Sequence, residues 1–434
     1  MKVVKLDNFT KPKKPWEVEG VEWREVKLEE IAKEIKSGGT PARKNKEYWE
    51  NGTIPWVKIQ DIPDDGYVDN TEEKITEKGL NNSSAKLLPK GTILFTIFAT
   101  IGRVGILNIR AATNQAIAGI IPKEDYNEKY LYWVLRKFGE KLARRGRGGA
   151  QNNVNLTFLK NLKIPIPFRN GKPDLETQKK IVEYIEANFS RIDKILEKKK
   201  KELEQLDELW ESVLEQAFKP KEGEEWREVR LGDIAKVVGG STAPQNKKFY
   251  ENGKHLFVRV SDLGAKKNFD PLINTKDKLN DEGIKRNKLV LVPKDTIVFP
   301  KSGAAILTNS RAILGKEAFI VNHLAGVIAQ EDKSYSRYLL FYLSKVDMGE
   351  FISPNSSYPS LKLETIKNLK IPFPFRNNQP DFEKQREIAN YLDSVYEKIK
   401  AIKERVQKQI ELLEEMKESI LEEVFSYGRQ TQAS

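Results

Sequence analysis

The sequence predicts an α+β protein in which two α/β domains are joined by two long helices that form an intramolecular antiparallel coiled coil. Three observations carry this expectation. Whole phrases recur roughly 200 residues apart, two long stretches lack both Pro and Gly and carry an apolar stripe, and the positive charge is concentrated outside those stretches.

The recurrence is clearest at the edges of the repeat. KNLKIPIPFRN at 160–170 returns as KNLKIPFPFRN at 367–377, and EWREV at 22–26 returns at 225–229, shifts of 207 and 203 residues. A unit of that size is a duplicated domain. The middles share only Gly38-Gly39 with Gly239-Gly240, ENG at 50–52 with ENG at 251–253, and PKGTILF at 89–95 with PKDTIVF at 293–299. Similar edges thus frame divergent interiors, the pattern of one scaffold presenting two different surfaces.

The helices are read from period. Residues 175–218 place Ile181, Ile185, Ile192, Ile195, Leu206, Leu209 and Val213 on one stripe. Residues 382–427 repeat the pattern with Ile388, Leu392, Val395, Ile399, Ile402, Val406, Leu413, Met416 and Ile420. At about 1.5 Å rise per residue each helix would run roughly 65 Å. A helix that long with one apolar stripe needs a partner, and the economical partner is the other helix, run antiparallel so that the domains lie at opposite ends of a rod. The expected seam uses Ile185, Ile192, Ile195 and Leu206 against Leu392, Ile399, Ile402 and Leu413, and Lys199 and Glu202 interrupt the first stripe. Pro165, Pro167 and Pro173, like Pro372, Pro374 and Pro380, forbid helix and set an extended elbow, leaving Asp174 and Asp381 where helix N-caps belong. The boundaries that follow are an N-terminal extension (1–20), a first domain (21–174), a first helix (175–218), a second domain (219–381), a second helix (382–428) and a tail (429–434). FTKPK at 9–13 echoes FKPK at 218–221, which makes the layout nearly circular.

Composition narrows the function. There is no cysteine for a disulfide or thiolate metal site, and the two histidines, His255 and His323, read as structural. The longest apolar stretch, 91–102, is too short to span a bilayer, and no secretory signal is apparent, so a cytoplasmic location without membrane attachment is expected. Each helix carries 8 basic against 11 acidic residues, whereas residues 20–174 carry 26 against 19 and residues 219–381 carry 27 against 19. Two basic domains on an acidic spacer point to a polyanion held at two separate places, most simply nucleic acid.

The candidate contact segments are Gly-rich and basic or amide-rich: 37–46, 99–103 and 143–153 in the first domain, 239–248, 300–305 and 354–360 in the second. Arg and Lys meet phosphates or guanine edges, amides pair with adenine, and hydroxyls reach either. The residues singled out for DNA contact are Arg43, Lys44, Thr100, Arg103, Arg144, Arg147 and Gln151, then Lys247, Lys301, Ser302, Asn355, Ser357 and Tyr358. No phosphate loop, dinucleotide fingerprint, H-E-x-x-H or N-P-P-[FYW] string is present. Asp174 with Glu197, Lys198 and Lys199 imitates a nuclease string, but the latter three fall in mid-helix as solvated charges. No catalytic or metal-ligating residue is expected, which separates this reading from two alternatives, a standalone DNA methyltransferase or nuclease and a nonspecific architectural DNA-binding coiled-coil protein.

WREVKLEEIAKEIKSGGTP, GTIPWVKIQDI, GTILFTIFATIGRVGIL, TNQAIAGIIP and IPIPFRNGKPDLETQKKIVEYI, with their second-half counterparts, resemble the specificity subunits of type I restriction-modification enzymes over nearly the whole chain. The resemblance implies two target recognition domains, each reading half of a bipartite site in double-stranded DNA, and a noncatalytic role in a multisubunit methyltransferase and endonuclease. It also implies paired helices that hold two modification subunits, which use S-adenosylmethionine to methylate adenine, and restriction subunits that use ATP and Mg; none of these cofactors would be bound by this chain. The family often shows Glu-Gln at the helix start, whereas Thr177 and Lys384 precede Gln178 and Gln385 here.

Overall fold

The computed structural model describes residues 14–64, 66–146, 154–264, 269–352 and 359–430, and only the backbone of 144–146 and 428–430. The chain divides into two compact units, Met1–Lys200 with Lys408–Ser434, and Lys201–Gln407. Both divisions fall inside long helices, Leu175–Ala217 and Phe382–Gln430, so each unit contains one globular domain and a part of each helix.

The two repeated phrases are partners of one another. In the first unit Glu22–Lys27 pairs antiparallel with Lys163–Arg169, from Glu22 opposite Phe168 to Lys27 opposite Lys163, and Lys172–Pro173 adds a third strand. In the second, Glu225–Arg230 pairs in the same register with Lys370–Arg376, followed by Gln379–Pro380. Backbone groups of successive strand residues point to opposite edges, which is why prolines two apart are tolerated here. Pro165 and Pro167 face away from the first strand, where a missing N–H breaks no ladder bond. Their carbonyls find other donors: Tyr130 Oη donates to the Pro165 carbonyl at 2.6 Å and the Asp174 N–H to that of Pro167 at 2.8 Å. Tyr338 and Asp381 do the same for Pro372 and Pro374, at 2.5 and 2.8 Å.

The elbow leads directly into each long helix, with the predicted caps in place. Asp174 Oδ1 accepts from the N–H groups of Glu176 and Thr177, both at 3.1 Å, and Oδ2 accepts from Thr177 Oγ1 and Arg169 Nε, both at 2.9 Å. Asp381 accepts from the Lys384 N–H at 2.9 Å and from Arg376 Nε at 2.8 Å. Thr177 therefore belongs to the cap itself, while Lys384 reaches Glu224 at 2.9 Å. Gln178 and Gln385, both fully buried, accept the N–H groups of Asn127 and Tyr335 at 2.9 Å. Those residues precede the domain helices Glu128–Gly146 and Ser336–Lys345, so each glutamine locks a long helix onto its own domain.

Both domains are built on a five-stranded sheet of the same order: Ala32–Ser37, Ile117–Pro122, Ile93–Thr96, Val104–Leu107, Tyr67–Val68, and Ala235–Gly239, Leu324–Ala329, Ile297–Pro300, Ala312–Leu314, Pro271–Leu272. A smaller sheet accompanies each, with three strands in the first domain and four in the second among the described residues. One detail corrects the glycine pairing expected from the sequence. Ser37 lies opposite Ala118 and Gly239 opposite Ala325, and a bulge between Ala32 and Glu34 takes up one extra residue in the first domain only. Gly38 therefore corresponds to Gly240 and not to Gly239.

Within the first unit Ile181, Val182, Ile185 and Phe189 share a core with Leu421, Val424 and Phe425; within the second, Trp210 and Leu214 share one with Ile388, Ala389, Leu392 and Ile399. The helices run antiparallel, since Asp207 meets Lys403 at 2.5 Å while Trp210, further along, meets Tyr396 with ring centroids 5.5 Å apart. Ile185, Ile192, Leu392 and Ile399 are buried as expected, and Leu206 and Leu413 are half-buried. Ile195 and Ile402 do not belong to the seam, being 44% and 39% exposed; Leu209 and Met416 are exposed too. From Ile192 the buried line continues four residues on to Leu196, and from Ile399 seven on to Val406. A 3-4 pattern permits either step, and the partner helix selects one. The ends of the helices play matching parts: Phe218 packs edge-on against Tyr338 at 5.1 Å, and Phe425 against Tyr130 at 5.6 Å. The echo at 9–13 lies outside the described residues.

Leu392→Ala should lower unfolding free energy by about 2 to 5 kcal/mol through the cavity it leaves, whereas Ile402→Ala should cost no more than about 1 kcal/mol. Chemical denaturation of the two variants checks the seam, and equal losses would restore Ile402 to it.

Candidate nucleic-acid interface

The loop after the first strand of each five-stranded sheet begins with glycine because the backbone there lies against its neighbours. Gly38 and Gly39 donate to the carbonyls of Ile117 and Thr113 at 3.0 and 2.8 Å, and a β-carbon on either would collide with Thr113 or Ser84. Gly240 and Ser241 bond to Leu324 and Ile320 in the same way, at 3.1 and 2.9 Å. These glycines close the domain on itself; their freedom is not spent on a ligand.

Further along the first loop, the Arg43 guanidinium lies over Trp49 at 3.8 Å and Trp56 at 4.8 Å and is ion-paired with Glu73. Lys58 joins the same carboxylate at 2.8 Å and Glu72 at 2.6 Å. Burial works against ionisation of Glu73, but hydrogen bonds from Arg43 and then Lys58 outweigh it and hold the carboxyl below its ordinary range. The second domain builds the equivalent clamp from just after the strand His255–Val258: Arg259, at the position of Lys58, pairs with Asp277 and lies over Phe257 and Tyr250 at 5.3 and 5.7 Å. Arg43 thus fixes its loop, while Lys44 beside it is exposed, as is Lys247 in the short turn Lys247–Tyr250.

The second cluster is the hairpin that leaves the middle strand of each sheet. In the first domain Thr96 closes it: its carbonyl accepts from the Gly102 N–H at 3.0 Å and its hydroxyl accepts from the Arg103 N–H at 2.8 Å and donates to the Thr100 carbonyl. Thr100 is exposed, and Arg103 Nη2 meets Asp64 Oδ1 at 3.1 Å. Asp64 is fully exposed, so this pair is worth little. In the second domain the Ser302 hydroxyl lies 2.7 Å from His323 Nδ1, and the Lys301 backbone is bonded to His323 and Leu361, both at 2.8 Å. The structure therefore brings Thr100 with Arg103, and Lys301 with Ser302, onto matching hairpins, and sets Arg43, Lys44 and Lys247 on the preceding loops. The side chain of Arg144, and Arg147, Gln151, Asn355, Ser357 and Tyr358, lie outside the described residues.

Sequence reasoning passed over two residues here. His323 was taken as structural, yet it sits beside Ser302. Arg311 is almost wholly buried, with its guanidinium held by the carbonyls of Ser310 and Val346 at 2.9 and 3.1 Å and by Asn309 Oδ1 at 2.6 Å. Burial pulls its pKa down to about 10. No signal in the local sequence distinguishes a buried arginine from the many solvated ones.

The family model described as Type I restriction modification DNA specificity domain matches this chain twice, over residues 20–205 and 223–412. The chain belongs to the type I restriction-modification specificity subunits. It is 31% identical over 423 residues to the MjaIX specificity subunit of Methanocaldococcus jannaschii, covering 92% of each chain, and 32% identical over 190 residues to the EcoR124I/EcoR124II specificity subunit of Escherichia coli, covering 42% of this chain and 45% of that one. Its fold is also that of a chain solved in work on assembly and conformational transition of the type I R-M system, with TM-score 0.72 at 19% identity over 93% of this chain and 97% of the other. The HsdS subunit from Thermoanaerobacter tengcongensis aligns with TM-score 0.53, again at 19% identity, over 93% and 96%. This specificity subunit is accordingly a noncatalytic DNA-recognition subunit with two recognition domains. No helix among its described residues is long and apolar enough to cross a membrane.

Arg43→Ala should cost the first domain about 1 to 2 kcal/mol by removing a stacked, ion-paired cation, and Lys44→Ala should stay within about 0.5 kcal/mol. Thermal melting of the two variants compares them; an unchanged midpoint for Arg43→Ala would mean the clamp does not hold the loop.

Proposed function

We propose that this specificity subunit reads a bipartite site in double-stranded DNA, with one recognition domain per half-site, and that its paired helices hold two modification subunits and recruit restriction subunits. The observation that carries this reading is the duplicated frame. The strand pair, capped elbow and buried glutamine are the same in both domains, while the loops they carry differ in sequence and in how they are anchored. A frame repeated without its loops is what two independent readers require. On this reading S-adenosylmethionine, ATP and Mg act on the partner subunits, in the cytoplasm, and the chain itself supplies only recognition. The helix seam leaves the outer faces of both helices in water, including Ile195, Leu209, Ile402 and Met416, which supports their use as protein-binding surfaces.

The alternatives predict different behaviour. A standalone enzyme would cut or methylate DNA by itself, and an architectural binder would show no preference between specific and random duplexes. Mapping methylated adenines in host DNA identifies the site, and competition with each half-site scrambled assigns it to a domain. On such duplexes Arg103→Ala should weaken binding by about 1 to 3 kcal/mol for the first half-site alone, and Lys301→Ala by a similar amount for the second. Equal weakening on every sequence would reassign either residue to phosphate contact, and no change would remove it from the interface.

A further inference from the structure

The hairpins described above share a feature that hydrogen-bonded reading does not use. Each carries a large apolar side chain in water, Phe98 in the first domain, 52% exposed, and Leu307 in the second, 62% exposed. Single exposed hydrophobics are common on any surface. These two, however, occupy the same place in the fold: both follow the middle strand of the five-stranded sheet, Ile93–Thr96 or Ile297–Pro300, and precede its neighbour.

Both tips are also held rigidly. Beside Phe98, Ala99 has φ 59°, a conformation that costs any residue but glycine free energy and persists where the surroundings impose it. The hairpin base is set by Thr96, and Gly102 at φ 90° lies against Gly139 of the domain helix so closely that neither could carry a β-carbon. In the second domain Ile306 is buried and its neighbour Leu307 is turned out on the short helix Ala304–Thr308. That turn is fixed at one end by the Gly303 N–H bonded to the Pro359 carbonyl at 2.8 Å, and at the other by Asn309, at φ 52°. The buried Arg311 grips Asn309 Oδ1 at 2.6 Å and the Val346 carbonyl at 3.1 Å, so a desolvated cation is committed to positioning this tip. A cation accompanies each apolar tip, Arg103 in one hairpin and Lys301 in the other.

We propose that Phe98 and Leu307 are wedges that insert between adjacent base pairs, so that each domain unstacks one base step of its half-site as it binds. The inference rests on the DNA-reading function proposed above. A phenylalanine and a leucine share no hydrogen-bonding capacity, but both gain by leaving water for the space between bases, and both are side chains that proteins use to part base steps. Rigid support is what such a tip needs, because a mobile side chain would fold back against its own domain. Pyrimidine–purine steps are the easiest to open, so the wedged step should be of that kind.

The test uses the full-length subunit assembled with its modification subunits on a duplex bearing the mapped target, with 2-aminopurine placed at successive positions other than the methylated adenine. Fluorescence should rise at one step in each half-site. Phe98→Ala should abolish the rise in the first half-site only and weaken binding roughly five- to a hundredfold, the loss of about one stacked base; Leu307→Ala should do the same in the second. Phe98→Leu should keep the signal. Because both side chains are exposed, the variants should melt with the wild type. Specific binding with no rise at any position, or a rise that survives both alanine variants, would overturn the wedges. A Phe98→Ala subunit that binds DNA normally but assembles poorly with modification subunits would assign the tip to protein contact and overturn them too. Failure of the wild-type assembly to prefer its target at all would instead overturn the DNA-reading function, and the wedges with it.

Discussion

The pairing of the WREV strand with the IPxPF strand is the constraint from which the rest of each domain follows. It joins the domain's first residues to its last, roughly 140 residues apart, and so closes a long, divergent interior between two fixed ends. The alternating prolines make the pairing one-sided. They turn their missing N–H groups to the edge away from the WREV strand, and they leave their carbonyls to Tyr130 and Tyr338 from the domain helix and to Asp174 and Asp381 from the helix cap. One five-residue phrase thereby ties sheet, domain helix and long helix together. Its conformational freedom is small before folding, because proline fixes φ, so little entropy is lost in setting the elbow.

This division of labour explains how two domains with the same frame can carry different surfaces. In the first domain an arginine from the loop, Arg43, completes the aromatic and carboxylate clamp; in the second Arg259, the residue just after the strand His255–Val258, does so. The hairpin after the middle strand is pinned to Gly139 in one case and through Arg311 to Val346 in the other. The loops are free to change because each carries its own anchor, and the frame stays unchanged because both long helices must meet it in the same way. Phe218 and Phe425 show that requirement directly, closing equivalent contacts from the ends of different helices.

Much of this was legible in the sequence where the signal is local. The duplication, the long helices, their antiparallel pairing and the caps at Asp174 and Asp381 follow from repeats, period and the position of proline. Long-range pairing was not legible: nothing in EWREV or IPIPF taken alone says that each is the other's partner, although their common repeat was visible. The glycine correspondence shifted by one because a bulge at Ala32 leaves no trace in composition. Ile195 and Ile402 were placed in the seam because a 3-4 stripe offers two ways forward, and only the opposing helix chooses between them. The basic loop residues were recognisable as a class, but whether a given arginine meets an exposed carboxylate, a tryptophan or a buried carbonyl depends on residues distant in sequence, as Arg103, Arg43 and Arg311 illustrate.

The central claim is that each recognition domain is a self-contained reader mounted on an identical frame. Exchanging residues 22–174 with residues 225–381, cut at the equivalent strand start and helix cap, tests it most directly when methylation is mapped in cells carrying the exchanged subunit. The account predicts methylation at the same two half-site sequences in reversed order with the spacer unchanged. Loss of methylation in a folded, assembled subunit, or half-sites with new sequences, would contradict it.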